Sequence, residues 1–150
     1  HEPEREGMGT TISVLALRGR FALTAQVGDS RIYLAREGKA LQLTQDHTLI
    51  NWQLKKGLIT EEQARRSKEK HIITRAVGSK EYVDVDTHFL RVQPGDSFLL
   101  CSDGLYAYVD EAQIARFLKL KPENAVRRLV SIANRRGGHD NITAVVVKLS

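Results

Sequence analysis

Hydrophobic and polar residues alternate along the first third of the chain with the two-residue period that is typical of β-strands. The pattern predicts four strands, at residues 10–17, 21–27, 31–35 and 40–43. Residues 18–20 and 36–39 lie between strands, and each segment contains a glycine that suits a tight turn. We therefore predict that these strands form a four-stranded antiparallel meander.

The apolar positions change to a helical spacing after residue 48. Residues 49–54 place leucine and tryptophan on one face of a helix, and Gly57 follows as a stop signal. A second helix begins after Thr60, because Gln63 three residues later completes a capping box. Residues 71–77 are predicted to form a further short helix. The helix after Thr60 has few apolar side chains, so we expect it to be exposed.

The last part of the chain is predicted to contain three strands and two helices. The strands are residues 83–92, 97–101 and 142–149, and the helices are residues 110–120 and 123–136. Asp110 and Pro122 are of types that commonly begin helices, and Gly137 ends the second one. Hairpin-length connections favour antiparallel sheets, so we predict an α+β fold in which helices pack on antiparallel sheets.

Composition and charge exclude several classes of protein. The 150 residues, 41% hydrophobic and 27% charged, are typical of one globular domain with a core of its own. The longest apolar run, residues 142–147, is too short to span a membrane. The net charge of +5 comes from dispersed basic residues without interleaved aromatics. We therefore predict no membrane and no nucleic-acid partner, whereas phosphorylated or acidic proteins would suit such a surface.

Cysteine usage bounds both the compartment and the chemistry. Cys101 is the single cysteine, which excludes an intrachain disulfide framework and a cysteine-based zinc site. The polar, acidic first residues are unlike a signal peptide, so we predict a cytoplasmic location. Cys101 lies on a predicted buried strand and is followed by Ser-Asp-Gly instead of a phosphate-cradling loop with arginine. A cysteine-nucleophile mechanism is therefore excluded.

Three aspartates share a setting beside a strand. Asp29 follows Val27-Gly28, Asp103 follows an apolar run and precedes Gly104, and Asp140 precedes the last strand. Carboxylates on such rigid supports suit Mg²⁺ or Mn²⁺, which prefer oxygen ligands and keep several waters. Each aspartate also fits a simple turn in which its side chain accepts a backbone hydrogen bond. Taken one at a time, these settings do not decide between a metal site and a turn.

Other candidate residues lie close to these aspartates in the sequence. His71 is a candidate proton donor or substrate contact, because an unperturbed imidazole titrates near neutrality, although a surface histidine is an equally good interpretation. His47 and His139 are interpreted as structural, since hard cations favour oxygen ligands over imidazole. Trp52 is interpreted as a packing anchor for its segment.

Six different sequence blocks follow one another along almost the whole chain. They are GMGTT at 7–11, VGDSRIY at 27–33, LTQDHT at 43–48, ITRAVG at 73–78, FLLCSDGL at 98–105 and DNIT at 140–143. In kind and order they closely resemble the metal-dependent serine/threonine protein phosphatases of type 2C, in their shorter bacterial style. A chance match of six ordered blocks is not credible.

The resemblance implies a fold, a reaction and a set of site residues. It implies a sandwich of two antiparallel sheets flanked by helices, and hydrolysis of phosphoserine and phosphothreonine on proteins by a metal-activated water. Asp103 and Asp140 match ligands of the two core ions, Mn²⁺ or Mg²⁺, and Asp29 matches the ligand of a third, weaker ion. The substrate flap corresponds to about residues 48–70, with Trp52 inside it and His71 at its end.

One part of the family pattern has no counterpart in this sequence. The family normally begins with a metal-binding glutamate and an Asp-Gly-x-Gly-Gly block whose aspartate bridges the core metals, whereas Glu2, Glu4 and Glu6 lack that context. We therefore interpret residues 1–150 as the C-terminal part of a type 2C-like phosphatase domain, to be completed by a missing N-terminal segment or a swapped partner chain. The alternative is a shortened, non-catalytic binding or regulatory module.

Overall fold

The computed structural model describes residues 7–67 and 69–150, so Glu2, Glu4 and Glu6 lie outside the described residues. The strands are β1 Ile12–Arg18, β2 Phe21–Val27, β3 Arg31–Arg36, β4 Lys39–Gln42, β5 Asp86–Arg91, β6 Ser97–Cys101 and β7 Ala144–Lys148. The helices are α1 Leu49–Lys55, α2 Glu61–Arg66, α3 Asp103–Tyr106, α4 Glu111–Phe117 and α5 Pro122–Arg135. The predicted mixture of helices and antiparallel strands is confirmed.

The strands form two antiparallel sheets, one in the order β1-β2-β5 and the other in the order β4-β3-β6-β7. The predicted four-stranded meander is therefore wrong, because β2 and β3 belong to different sheets. Gly28, between them, has a φ of +108°, and a Cβ at this position would collide with the Thr11 side chain. A glycine in this left-handed region lets the chain leave one sheet and enter the other.

Two apolar clusters hold the layers together. The smaller one joins Ala22 of β2 to Ile32 of β3 and Phe98 of β6, and it lies between the sheets. The larger one lies on the other face of the four-stranded sheet, where α4 and α5 pack. Its fully buried members include Leu99, Leu105, Ile114, Leu129 and Ala133. Each large side chain buried there contributes about 1.5–3 kcal/mol relative to exposure.

The helix boundaries follow their predicted signals. Thr60 and Gln63 form a complete capping box at the start of α2, and Asp110 caps α4. Pro122 occupies the first turn of α5, where its missing N–H costs nothing. Gly137 and Gly138, which both have a positive φ, follow α5 and end that helix as expected. The short helix α3, which begins at Asp103, was not predicted.

The predicted helix over residues 71–77 is wrong. Ile73 forms an isolated β-bridge with Thr48, and Val77 forms another with Thr10. The Leu49 N–H also donates to the Ile72 carbonyl at 2.9 Å. Backbone groups that pair with distant segments are not available for the local bonds of a helix. These contacts join residues 47–49 to residues 72–74, and we call this junction the flap base.

The outer face of the three-stranded sheet is apolar and open. Val14 and Leu23 are exposed on it, and Phe89 is 64% exposed. Phe21 and Phe89 stack with ring centroids 5.0 Å apart. An uncovered apolar face of this kind is typical of a surface that packs against another segment or chain. No helix among the described residues is long and apolar enough to cross a bilayer.

Candidate metal centre

Asp29 lies in the crossing between the two sheets, in a turn that is held by its main chain. The Gly28 carbonyl accepts hydrogen bonds from the His47 N–H and from Gln26 Nε2, both at 2.9 Å. The Tyr106 hydroxyl donates to the Asp29 carbonyl at 3.0 Å. The Asp29 residue is only 7% exposed. The turn therefore fixes the direction in which this carboxylate leaves the backbone.

The environment of Asp29 disfavours its negative charge. Burial raises the pKa of the Asp29 carboxyl, and the nearby charge of Asp103 raises it further. A carboxylate in this situation is stabilised by a cation, which removes both the desolvation cost and the repulsion between like charges. Asp29 and Asp103 are thus close enough to influence each other.

Asp103 begins α3 directly after the buried strand β6. Its Oδ1 accepts the Gly104 N–H at 2.9 Å, and its Oδ2 lies 3.6 Å from His71 Nδ1. His71 is exposed at the end of the flap, so the structure brings this predicted site residue beside a predicted metal ligand. The contact between Asp103 and His71 closes one side of the site.

Asp140 lies in an exposed turn against the start of α3. Its Oδ1 accepts the Asn141 N–H at 2.6 Å. Ser102 Oγ donates to the Asn141 carbonyl at 3.1 Å and accepts the Thr143 N–H at 3.0 Å. A Cβ on Gly104 would collide with the Asn141 carbonyl, so the two turns touch through their backbones. The turns that carry Asp103 and Asp140 are therefore joined.

These contacts fit both interpretations of the aspartates. Asp103 and Asp140 each use one oxygen in a local backbone hydrogen bond, as turn aspartates do. Within residues 7–67 and 69–150, no group of three or more His, Cys, Asp or Glu side chains could hold a metal ion. Mg²⁺ is commonly bound by one or two protein carboxylates and several waters. The donor chemistry of Asp29, Asp103 and Asp140 fits such an ion.

Sequence reasoning did not find a half-buried ion pair beside the site. Arg31 donates to both Asp46 carboxylate oxygens, with Nε–Oδ1 at 2.9 Å and Nη2–Oδ2 at 2.6 Å. Its guanidinium lies 3.6 Å from the centre of the Tyr106 ring. Burial lowers the pKa of Arg31, but the hydrogen bonds that Arg31 donates to Asp46 and Tyr33, with the charges of those groups, outweigh burial and leave the pKa raised. Both residues stand in the quoted blocks, yet no spacing indicates that they pair.

A cleft of about 720 Å³ lies between the flap and the core, and His71 in its lining is the residue that contacts Asp103. Asp29, Asp103 and Asp140 themselves do not line it. Its polar lining includes Arg31, Asp46, Asn51, Arg65, Lys70 and His71. Trp52 is 49% exposed, whereas Ile50 and Ala64 are buried, so these two residues anchor the flap in place of Trp52. The cleft is open, is lined by apolar as well as polar side chains, and is large enough for a phosphorylated side chain.

The remaining candidates take no part in this geometry as nucleophiles or ligands. Cys101 is buried, and burial raises the pKa of its thiol to about 12. A thiol that stays protonated at neutral pH is a poor nucleophile. His139 is exposed beside Asp140, and His47 is buried with hydrogen bonds at both ring nitrogens.

Comparisons with known proteins agree with this architecture. The family described as Protein phosphatase 2C matches residues 1–53. The chain is 40% identical over 149 residues to the serine/threonine phosphatase stp of Listeria innocua. The match covers 98% of this chain and 59% of that relative. The chain is 39% identical to the protein phosphatase PhpP of Streptococcus pneumoniae, over 96% of this chain and 59% of that relative. The chain thus spans about three fifths of the length of these curated relatives.

Solved structures show the same fold. The S. agalactiae serine/threonine phosphatase superposes with a TM-score of 0.92 and 38% identity, over 99% of this chain and 62% of that one. The catalytic domain of the serine/threonine protein phosphatase PstP, in complex with two manganese ions, superposes with a TM-score of 0.83 and 38% identity, over 97% of this chain and 60% of that one. With this identity and this fold along nearly its whole length, the chain belongs to the protein phosphatase 2C family.

Proposed function

We propose that this chain is the C-terminal part of a metal-dependent phosphatase domain that hydrolyses phosphoserine and phosphothreonine on proteins. The observation that carries the proposal is that α3 joins the turns of Asp29, Asp103 and Asp140. Tyr106 donates to the Asp29 carbonyl at 3.0 Å, and Ser102 donates to the Asn141 carbonyl in the turn of Asp140 at 3.1 Å. Carboxylates gathered in this way repel one another and are stabilised by a cation. The names of the relatives support the reaction, and the two manganese ions of the PstP structure support Mn²⁺ or Mg²⁺ as the cofactor.

Asp103 and Asp140 are the residues of this chain that would hold two core ions, and Asp29 would hold a third. Such ions, when bound, ionise a water for attack on phosphorus and offset the negative charge of the phosphate. The chain supplies oriented carboxylates, because Asp103 and Asp140 each have one oxygen fixed by the following backbone N–H. The other oxygen of each is then available to a cation.

His71 and the cleft would receive the phosphorylated residue. His71 lies beside Asp103 and lines the cleft, so it is within reach of a leaving hydroxyl oxygen or of the phosphate. The Arg31–Asp46 pair also lines the cleft and is already satisfied by its own hydrogen bonds. We therefore assign it a supporting role, with His71 as the proton donor or substrate contact.

The rest of the family domain is a further part of the proposal. The chain spans 59% of its relatives, so ligands from the remaining part would complete the metal centre, in the same chain or from a partner. Phosphorylated proteins are the proposed substrates, and we infer from them a role in signalling, opposed to that of protein kinases. The single, buried Cys101 supports a cytoplasmic location.

The test uses the full-length gene product with Mn²⁺ and a phosphothreonine peptide. We expect Asp103→Asn and Asp140→Asn each to reduce turnover at least about 100-fold, because removal of a ligand charge weakens the ion that activates water. Asp84→Asn, an exposed aspartate that is not among the proposed ligands, is the matched control. A wild-type protein without hydrolysis would instead favour the non-catalytic module. Full turnover in Asp103→Asn would remove Asp103 as a ligand of a core ion.

A further inference from the structure

His47 lies where the crossing between the sheets meets the flap base. Its imidazole is only 5% exposed. Its backbone N–H donates to the Gly28 carbonyl at 2.9 Å, and its ring Nδ1 accepts the Gly28 N–H at 3.0 Å. The His47 carbonyl accepts the Thr74 N–H at 2.8 Å. One residue thus binds both polar groups of Gly28, next to Asp29, and also the returning end of the flap.

The contact with Gly28 fixes the tautomer of the ring. A backbone N–H only donates, so Nδ1 of His47 must be the unprotonated acceptor and the proton must reside on Nε2. Nε2 then donates to Asp86 Oδ2, which lies 3.0 Å away on β5. A buried imidazole oriented by a carboxylate is held in one tautomer and one rotamer.

Asp86 is itself oriented by a second partner. Arg75 Nη1 donates to Asp86 Oδ1 at 2.7 Å. It also lies 3.2 Å from His47 Nε2, but two N–H donors do not bond to each other, so its hydrogen bond goes to the carboxylate. The hydrogen bond from His47, together with that from Arg75, lowers the pKa of the Asp86 carboxyl and outweighs the opposing effect of burial. Asp86 is therefore a stable acceptor for the His47 ring at neutral pH.

We propose that His47, oriented by Asp86 and Arg75, is a positioning residue that holds the Asp29 carboxylate in the geometry that binds a divalent cation. This inference rests on the proposed metal-dependent function and deepens it. A glycine can adopt many backbone conformations, and each would direct the following residue, Asp29, differently. The His47 ring restricts Gly28 to one of them by accepting its N–H. The link from His47 to Thr74 makes the same turn sensitive to the flap base.

A buried histidine that only stabilises the fold would behave differently. Its loss would lower the stability of every part of the molecule and would weaken Mn²⁺ binding whether or not Asp29 is present. A histidine that acts through Asp29 loses its effect on the metal once the Asp29 carboxylate has been removed. A double-mutant cycle between positions 47 and 29 therefore separates the two roles.

The experiment measures Mn²⁺ binding to the full-length gene product by electron paramagnetic resonance, independently of hydrolysis. The variants are His47→Ala, His47→Asn, Asp86→Asn and Asp29→Asn, with the double variants that combine Asp29→Asn with each His47 change. Loss of an outer partner of a metal ligand weakens metal affinity about 10-fold or more. We expect that loss for the weakest Mn²⁺ site in His47→Ala and no further loss when Asp29→Asn is already present.

Two milder variants keep the test decisive if His47→Ala folds poorly. In His47→Asn the side-chain carbonyl can accept the Gly28 N–H, so we expect it to recover most of the Mn²⁺ affinity. Asp86→Asn leaves His47 in place but loses the charge that orients it, so we expect a smaller loss of affinity. It should also alter the imidazole ¹⁵N shifts that report the proton on Nε2. Asp84→Asn serves as the control on the same part of the chain.

Equal losses of Mn²⁺ affinity from His47→Ala with and without the Asp29 carboxylate would overturn the proposal, as would no loss in any well-folded His47 variant. The proposed function fails separately. If the wild-type protein binds Mn²⁺ and shows the coupling between positions 47 and 29 but hydrolyses no phosphopeptide, the positioning role stands and the phosphatase activity does not.

Discussion

Gly28 is the residue on which the path of the chain depends most. It combines a φ of +108° with a backbone so close to Thr11 that no Cβ fits. We expect Gly28→Ala to lower the free energy of unfolding by about 2 kcal/mol or more, since left-handed strain and overpacking add. Urea denaturation of the purified protein measures this change.

Gly19 is a matched control for Gly28. It also has a positive φ, of +56°, but a Cβ there would have nothing within 4 Å. Gly19→Ala should therefore cost only about 1 kcal/mol, from backbone strain alone. Equal costs at the two positions would mean that the contact with Thr11 relaxes and that Gly28 is needed only for its φ.

Asp96 is a buried carboxylate that contributes to stability through its charge. It is 1% exposed and accepts hydrogen bonds from Arg36 Nε at 2.8 Å and from the Gln93 N–H at 2.8 Å. The hydrogen bond from Arg36 lowers the pKa of Asp96, and burial opposes it less strongly. We expect Asp96→Asn to reduce the free energy of unfolding by about 1–3 kcal/mol at neutral pH.

The pH dependence of this difference follows from the direction of the pKa shift. A lowered pKa gives stability that is complete above the ordinary aspartate pKa of about 3.9 and is lost as the pH falls through the folded-state pKa. Wild type and Asp96→Asn should therefore converge in stability at acidic pH. Urea titrations at a series of pH values between neutral and acidic measure the difference in the free energy of unfolding, with Glu81→Gln as an exposed control. A difference that stays constant with pH would contradict this.

At this scale the sequence indicated the chemistry of single residues better than their partners. The three aspartates stood out because each adjoins a strand and a turn residue. The partners of Arg31 and His47, by contrast, are Asp46 and Asp86, and no local spacing connects them. Such pairs arise only when the two sheets and the flap base come together.

At the scale of elements, the flap should be the least stable part of the fold. The described flap residues, 48–67 with 69 and 70, include Ile50 and Ala64 as their buried apolar anchors. The ion pairs of α2, such as Arg66–Glu62 at 2.7 Å, are exposed and contribute little. We expect hydrogen exchange in α2 to be much faster than in β6.

Hydrogen exchange with mass spectrometry resolves these two elements in one experiment. The helix α5 provides a matched control, because it is helical like α2 but buries Leu129 and Ala133 in the core. Its amides should exchange slowly. Protection in α2 equal to that in β6 or α5 would show that the flap is held as firmly as the core.

Local sequence signals predict where helices begin, and the wrong predictions concern segments whose backbone pairs with distant parts of the chain. Thr60, Asp110 and Pro122 marked helix starts correctly, because capping acts within one turn. Residues 71–77 were assigned to a helix wrongly, since their backbone pairs with Thr48 and Thr10. The meander failed for a related reason, because strand pairing across sheets is not encoded in alternation alone.

At the scale of the whole molecule, the open sheet face predicts how residues 1–150 behave as a separate chain. Its apolar residues, Phe21, Leu23 and Phe89 among them, are exposed. We expect this chain alone to bind Mn²⁺ weakly and to be nearly inactive on a phosphothreonine peptide. Both expectations rest on the proposed division of the metal centre, in which the bridging carboxylate lies outside residues 1–150, and on the lack of a cover for this face among residues 7–67 and 69–150. Adding the remaining part of the family domain, in the same chain or separately, should restore activity.

The measurement requires a verified 150-residue species, with its mass confirmed, assayed beside the full-length gene product. A complementation assay with the separate remaining segment is the positive arm. Robust turnover by the 150-residue chain alone would show that its own aspartates suffice, and the proposed division of the metal centre would be wrong.

The two-layered sandwich could be predicted only from the resemblance of the ordered sequence blocks to a known family. Alternation and turns indicated α+β with antiparallel sheets, and the resemblance supplied the two layers. The division into the orders β1-β2-β5 and β4-β3-β6-β7 depends on the crossing at Gly28 and on the core between Ala22 and Phe98. Those are contacts between residues far apart in the chain, which periodicity does not report.

The flap base has a consequence for how this enzyme family diversifies. The segment enters and leaves at adjacent points, joined by the Thr48–Ile73 bridge, and α2 carries its own capping box. Doubling the length of such a loop costs only about 0.6 kcal/mol. Insertions, deletions and exchanges between relatives can therefore accumulate beyond this junction under weak purifying selection. Under the proposed function, relatives would then share the same carboxylates and differ in the flap surface that they present to a protein substrate.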